Sequence, residues 1–137
     1  ATGKRMIRFD TDHLRRVLIN LLDNARRYAS HAVPIEVSTR FDTAGQAQLR
    51  VWSDGSELEP TVRRHLFEPF FSSQSRSSGL GLYICRELCQ RHGASIGYQR
   101  LVRTTPRGEI GGNAFTVGFR RNTRPAENAT LFDTIVV

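Results

Sequence analysis

The stretch TDHLRRVLINLLDNARRYA, residues 11–29, decides how the rest of the chain is read. Leu14, Val17, Leu18, Leu21, Leu22, Ala25 and Tyr28 recur at the 3.6-residue period, so they form one apolar helix face that has to be buried. Asp10, Thr11 or Asp12 supplies the oxygen that caps its first turn. His13, Asn20, Asn24, Arg27 and His31 fall on a stripe beside that face, because steps of three, four and seven residues return to nearly the same direction. The helix therefore docks on a core and leaves an amide-rich edge beside it.

Beyond this helix the hydrophobic period changes from 3.6 to two. Pro34 closes a loop, after which Ile35, Val37, Thr39 and Phe41 alternate with polar residues, and Leu49 and Val51 resume the alternation after DTAGQ. Residues 35–41 and 47–53 thus read as an antiparallel hairpin. Pro60 opens a short helix running to about Phe67, since proline's missing N–H is not needed in the first turn. Residues 72–78 are serine-rich, have no apolar anchor, and read as a mobile loop. Gly79-Leu80-Gly81-Leu82 leads into a helix through His92, where Gly93 stops it. Ala94 to Tyr98 and Phe115 to Phe119 read as strands joined by a loop around residues 105–113. A polar tail from residue 122 precedes the apolar end LFDTIVV, a strand for an open sheet edge or a docking segment. The sum is an α+β fold: a two-layer α/β sandwich with helices on one face of a mixed, mostly antiparallel sheet, spanning residues 1–121, with a C-terminal tail at 122–137.

Composition narrows the function classes. The 137 residues are 39% hydrophobic, enough for one core. No run approaches the ~20 apolar residues of a membrane-spanning helix, and the first ten residues lack a signal peptide's apolar segment. The expected setting is cytoplasmic, with no membrane contact by this domain, and is compatible with a parent protein anchored in the inner membrane. Twenty Lys and Arg against 13 Asp and Glu give a formal charge of +7, which favours an anionic partner. The arginines come as scattered pairs without a regular aromatic partner, so nucleic acid is not the expected one. Cys85 and Cys89 give no disulfide framework, and with His92 they fall short of a tetrahedral zinc set.

Two constellations carry chemistry. On the first helix, the amides of Asn20 and Asn24 can ligate a hard cation without adding negative charge against phosphates, and Arg27 can meet a phosphate oxygen. At the second long helix, Ser78, Gly79, Leu80, Gly81 and Leu82 put glycines at a helix start, where phosphates can approach the backbone and the first amides favour negative charge. Taken alone, the first reads more readily as an ordinary polar helix flank and the second as close packing or turn chemistry.

Their order is more specific. LINLLDNARRYA (18–29), VWSDGSEL (51–58), LFEPFFSS (66–73) and SSGLGLYICRELCQRHG (77–93) resemble the asparagine, first glycine, phenylalanine and second glycine boxes of sensor histidine kinase ATP-binding domains. That fold is shared with gyrase, the Hsp90 chaperone and MutL. The short stretch between LFEPFFSS and GLGL is similar to that of nitrogen-regulation and pilus-regulation sensor kinases. The resemblance covers about residues 6–120. It implies that the domain binds ATP and Mg2+ and presents the nucleotide to a histidine on a separate dimerisation domain, with a response regulator as partner of the parent protein. It further implies that Asn24 holds magnesium, Asn20 supports the phosphate side, and Arg27 and Tyr28 contact phosphate or ribose. Gly79, Leu80 and Gly81 present backbone to the phosphates, and Phe70 and Phe71 anchor the lid. None of the four histidines sits in the family's phosphoacceptor pattern. ATP-hydrolysing relatives carry a glutamate where this chain has Asn20, so little intrinsic hydrolysis is expected.

The first glycine box departs from the pattern. Counting back from Leu58 and Gly55, the adenine-contacting aspartate position holds Ser53, Asp54 stands one step out of register, and Glu57 replaces the second glycine. A one-step slip on a strand points a side chain to the opposite face, although a bulge would return Asp54 to the pocket. Ser77 replaces the first glycine of the second box, and Gln74 stands where lysine is frequent. Two readings stay open: a working kinase domain with an altered base pocket, and a degenerate one that serves as a signalling docking module.

Overall fold

The computed structural model describes residues 5–71, 79–120 and 129–132. In chain order these form β1 (Arg5–Arg8), α1 (Thr11–Tyr28), β2 (Glu36–Phe41), β3 (Ala47–Asp54), α2 (Pro60–His65), α3 (Gly81–Arg91), β4 (Ser95–Thr105), β5 (Gly108–Gly118) and β6 (Ala129–Phe132). The loop expected at residues 72–78, with Gln74, Ser77 and Ser78, lies outside the described residues.

Local chemistry explains the ends. Asp10 caps α1, its carboxylate accepting from the His13 N–H at 3.0 Å. That hydrogen bond is the main reason the Asp10 carboxyl is held below 3.8. At the end of α3, Gly93 takes φ +70, and the Ala94 N–H turns back to the Cys89 carbonyl at 2.8 Å, closing the last turn as a left-handed glycine does. Pro60 occupies the first turn of α2 as expected, and the helix ends at His65.

β2, β3, β5 and β4 lie in that order in one sheet, every neighbouring pair antiparallel. α1 and α3 pack on one face of it. The apolar stripe read from the sequence supplies the contact: Leu14, Val17, Leu21 and Ala25 are buried against Cys85, Cys89, Leu49, Val51, Phe115 and Val117. Each fully buried Leu, Val or Phe contributes on the order of 1.5–3 kcal/mol, so this face holds the layers together.

Residues 105–113 are not a connecting loop. β4 and β5 are 11-residue strands paired from Ser95↔Gly118 to Thr105↔Gly108, turning only through Pro106 and Arg107. The Thr105 hydroxyl accepts from the Arg107 N–H at 3.1 Å and donates to the Gly108 carbonyl at 2.9 Å, and Gly108 takes φ +97. The glycines that read as loop are required inside the strand. A Cβ on Gly112 would run into the Trp52 indole and the Ser53 carbonyl oxygen.

The start of the apolar end is paired. β6 pairs antiparallel with β1 in a second, two-stranded sheet, Arg5 opposite Phe132 and Arg8 opposite Ala129. Only Leu131 and Phe132 of that end belong to β6; residues 133–137 lie outside the described residues. No helix of the described residues is long and apolar enough to cross a membrane.

Candidate functional site

A cleft of about 270 Å³ opens where the edge of α1 faces the start of α3. From α1 it is lined by Asn20, Asp23, Asn24, Arg27 and Tyr28, and from the start of α3 by Gly79, Gly81 and Leu82. The amide-rich edge and the glycine-opened helix start therefore share one cavity. The Asn20 amide N–H donates to the Gly81 carbonyl at 3.3 Å and ties the two together.

The long axis of the cleft follows α1. Asn20 stands beside Gly81, whereas the Tyr28 carbonyl stands beside Gly55, where a Cβ would meet it at 3.4 Å. Eight helical residues separate these points, about 12 Å at 1.5 Å per residue. One end thus presents amides and glycine backbone. The other presents Ser53 and Asn113, walled by Leu58, Val62 and Phe115. Polar groups at one end and apolar walls at the other suit a ligand with an anionic part and a flat ring.

Ser53, not Asp54, faces this cavity. β3 pairs with β5 in unbroken register, Ser53 opposite Asn113 and Asp54 opposite Gly112, so no bulge rotates the carboxylate inward. Asp54 is only 2% exposed, and its carboxylate accepts from the backbone N–H groups of His31 (3.0 Å), Ala32 (2.8 Å) and Val33 (3.3 Å). It holds the loop after α1, and the expectation that it contacts nucleotide is corrected. Glu57 is exposed and has no positive φ, so it adopts no left-handed backbone.

Of the other candidates, His31, His13 and Phe70 lie away from the cleft lining. α1 ends at Tyr28, so His31 is not on the helical stripe; it takes φ +60 and pairs its ring Nε2 with the Arg26 carbonyl at 2.8 Å. His13 is also away from the cleft, its Nδ1 2.8 Å from Nε2 of His92. Burial pushes the His92 pKa below 6.5, with the neighbouring His13 adding to the effect. Phe71 lines the cleft and its ring lies 5.5 Å from that of His65, whereas Phe70 is 78% exposed with φ +61. Gly79, at φ +73, packs on the backbone of both: a Cβ there would lie 2.6 Å from the Phe70 carbonyl carbon. Phe71 and Gly79 are thus in contact at the cleft. Leu80 precedes α3 as its N-cap residue.

Cys85 and Cys89 are buried as free thiols. Burial pushes each up to about 12, so both stay protonated and neither is a nucleophile or a ready metal ligand. The described residues contain no cluster of three or more His, Cys, Asp or Glu placed to hold a metal. The donor set that fits a hard cation is instead the amide pair of α1.

Sequence reasoning missed Asn113, Phe115, Leu58, Val62, Leu66 and Asp23 as lining residues. The signal for two of them was present: Asn113, Phe115, Val117 and Phe119 share one alternation, which the preceding Gly-Gly disguised as a loop. Asn113 is firmly held. Its side-chain oxygen accepts from the Tyr98 hydroxyl and, at 3.3 Å, from Arg100, while its amide N–H donates to the Ser56 carbonyl at 3.0 Å. Arg100 also donates to the Gly55 carbonyl at 2.6 Å.

Residues 9–123 match the family described as histidine kinase-, DNA gyrase B- and HSP90-like ATPases. The chain belongs to that family. Among its relatives is the sensor protein kinase PilS of Pseudomonas aeruginosa, 35% identical over 123 residues, which are 87% of this chain and 22% of that protein. The catalytic domain of the histidine kinase ThkA, in a nucleotide-free form, superposes with a TM-score of 0.64 at 26% identity, over 81% of this chain and 68% of that one. A mycobacterial sensor histidine kinase MprB shares the fold at a TM-score of 0.66 and 24% identity, covering 83% of this chain and 77% of that structure. The chain is thus an ATP-binding catalytic domain of the sensor histidine kinase type, and it spans about a fifth of the length of the sensor kinase PilS. The α+β sandwich inferred from the sequence is the fold these structures share.

Proposed function

We propose that this domain binds ATP with Mg2+ in the cleft between α1 and the start of α3, and presents the terminal phosphate to a histidine on a separate dimerisation domain. The observation that carries this reading is the meeting of Asn20, Asn24, Gly79 and Gly81 on one cavity. Asn24 would hold the metal through its amide oxygen, and Asn20 would support the phosphate side while pinned to Gly81. A bound magnesium ion would supply charge neutralisation between the phosphates. Arg27 and the first amides of α3 would add positive potential there, Phe71 and Leu82 would wall off water, and Tyr28 would lie along the ribose.

No carboxylate stands at position 20 to draw a proton from water, and an amide has no useful basicity. Hydrolysis by the domain alone should therefore be slight, with transfer depending on positioning and charge. The acceptor histidine, the response regulator and any membrane anchor belong to the longer parent, and this part works on the cytoplasmic side.

Titration calorimetry of the isolated domain tests the proposal. ATP should bind in a magnesium-dependent manner, and Asn24→Ala should remove that dependence. Unchanged metal dependence in the variant would move the cation elsewhere. Ser53 at the base end favours one second reading, a docking module with an eroded pocket. No binding at millimolar nucleotide, with Ser53→Asp failing to restore it, would decide for that module.

A further inference from the structure

The face of the sheet turned away from the helices carries a buried arginine. Along β3, Arg50 and Trp52 alternate with Leu49, Val51 and Ser53, so they stand on the side opposite the core and the cleft. Arg50 is only 7% exposed there. Its neighbours across the sheet are small, Ser38 on β2 and Thr116 on β5 with Gly97 beyond it on β4. Its Nε donates to the Thr116 hydroxyl at 3.3 Å, the one hydrogen bond of this guanidinium among the described residues. The two terminal amino groups are not among the buried nitrogens that lack a partner, so they reach the surface with their hydrogens uncommitted.

The surroundings are positive. Burial, and after it the charges of Arg40 and Arg103, push the Arg50 pKa below the ordinary arginine value. Arg103 is bound to Glu36 at 2.7 Å, whereas Arg40 is engaged only through its Nε, which donates to Gln48 at 2.9 Å. The other acid of this face, Asp54, lies four residues along the strand, about 13 Å away at ~3.3 Å per residue. It is held by three backbone N–H groups. Three guanidinium groups against one carboxylate thus leave two positive charges around Arg50.

Packing does not call for this residue. A charge taken out of water without a partner destabilises the fold, and an apolar side chain of similar length would fill the same space without that penalty. Planar guanidinium forks match the oxygens of phosphate, and two unbalanced charges match a dianion where a carboxylate would answer only one. We propose that the outer face of the sheet holds inorganic phosphate between Arg50 and Arg40, at a site separate from the cleft. Thr116 sets the orientation of the Arg50 fork by accepting from its Nε. The site does not depend on the nucleotide-binding reading above.

Titration calorimetry of the full chain with sodium phosphate, without magnesium and at pH 8 so that the ligand is a dianion, tests the proposal. Phosphate should bind, and acetate at matched ionic strength should bind about tenfold or more weakly. Arg50→Met, which keeps the buried stem, should weaken phosphate about ten- to a hundredfold, the change one charge-assisted hydrogen bond makes. Arg27→Gln, which removes the arginine of the cleft, should leave phosphate affinity unaltered. Loss in Arg27→Gln with retention in Arg50→Met would put the anion in the cleft and overturn the proposal. Equal affinity for acetate, or no phosphate binding at millimolar concentration, would overturn it as well. Should circular dichroism show Arg50→Met unfolded, Arg40→Gln at its exposed position decides: phosphate affinity should fall there too, and an unchanged dissociation constant would remove the site.

Discussion

Replacing Asp54 by alanine tests the register on which the site is built. The carboxylate is buried and accepts three backbone N–H groups from residues 31–33, at 3.0, 2.8 and 3.3 Å. Hydrogen bonds to a charged group are worth about 1.5–3 kcal/mol each. The longest of the three counts for least, and His31 and Ala32 are exposed, so their amides regain water when the carboxylate is gone. The net loss should be about 2–4 kcal/mol, a large share of the ~5–15 kcal/mol that holds a domain of this size. Asp54→Asn should fall between wild type and alanine, since an amide keeps one acceptor and turns a donor toward the remaining N–H groups.

Urea unfolding followed by circular dichroism reads these values, with Ser53→Ala as the partner measurement. Ser53 faces the cavity, so its truncation should change stability by less than about 1 kcal/mol while altering nucleotide affinity. The opposite pattern would refute the reasoning: Asp54→Ala stable to within about 0.5 kcal/mol but deprived of nucleotide, and Ser53→Ala unfolded. That result would mean that the strand is rotated by one residue.

Two further outcomes follow from the geometry. Gly79→Ala should cost about 1–2 kcal/mol for its positive φ alone, and its Cβ would also displace the Phe70–Phe71 backbone. Nucleotide affinity should drop at least tenfold, and an unaltered dissociation constant would separate Gly79 from the cleft. His92 has its pKa lowered by burial and by His13, against a smaller raising influence of Asp10. The unfolded chain then binds the extra proton first, so this contribution to stability is complete above pH 6.5 and is lost as pH falls through the lower folded value. His92→Gln should flatten the urea midpoint between pH 7.5 and 5, and an unchanged slope would assign it to other groups. Asp10, already held below 3.8, acts at still lower pH.

What the sequence revealed and what it hid follow the same physical division. Leu14, Val17, Leu21 and Ala25 were legible because a helix repeats its burial every 3.6 residues, and the asparagines beside them inherit their direction from that face. The hairpin β2–β3 was legible from alternation alone. Parity also placed Ser53 on the side of Leu49 and Val51. The long β4–β5 hairpin was hidden because Gly111 and Gly112 read as loop when their neighbours across the sheet are unknown. The Trp52 indole and the Ser53 carbonyl oxygen, which sit against Gly112, show why a side chain is excluded there. The end of α1 was legible to within a residue, but the place of His31 was hidden for a similar reason: its departure from the stripe depends on Asp54, 23 residues later, capturing its N–H.

Asp54 and Ser53 together explain how one strand end serves two purposes. Adjacent residues on a strand face opposite ways, so the end of β3 can offer a small hydroxyl to the cleft and a carboxylate to the loop behind it. Its carbonyl takes the Ser30 N–H at 3.0 Å as well, which fastens the chain just past Tyr28 to the sheet. The distance between Tyr28 and Ser53, and with it the width of the base end, is therefore set by the carboxylate that does not enter the cleft. A sequence with aspartate at 53 would gain a base contact without losing this anchor. Exchanging the two residues would remove the anchor, so the double variant Ser53→Asp, Asp54→Ser should bind nucleotide less well than Ser53→Asp alone. Equal affinity in the two variants would show that the loop is held by something other than Asp54.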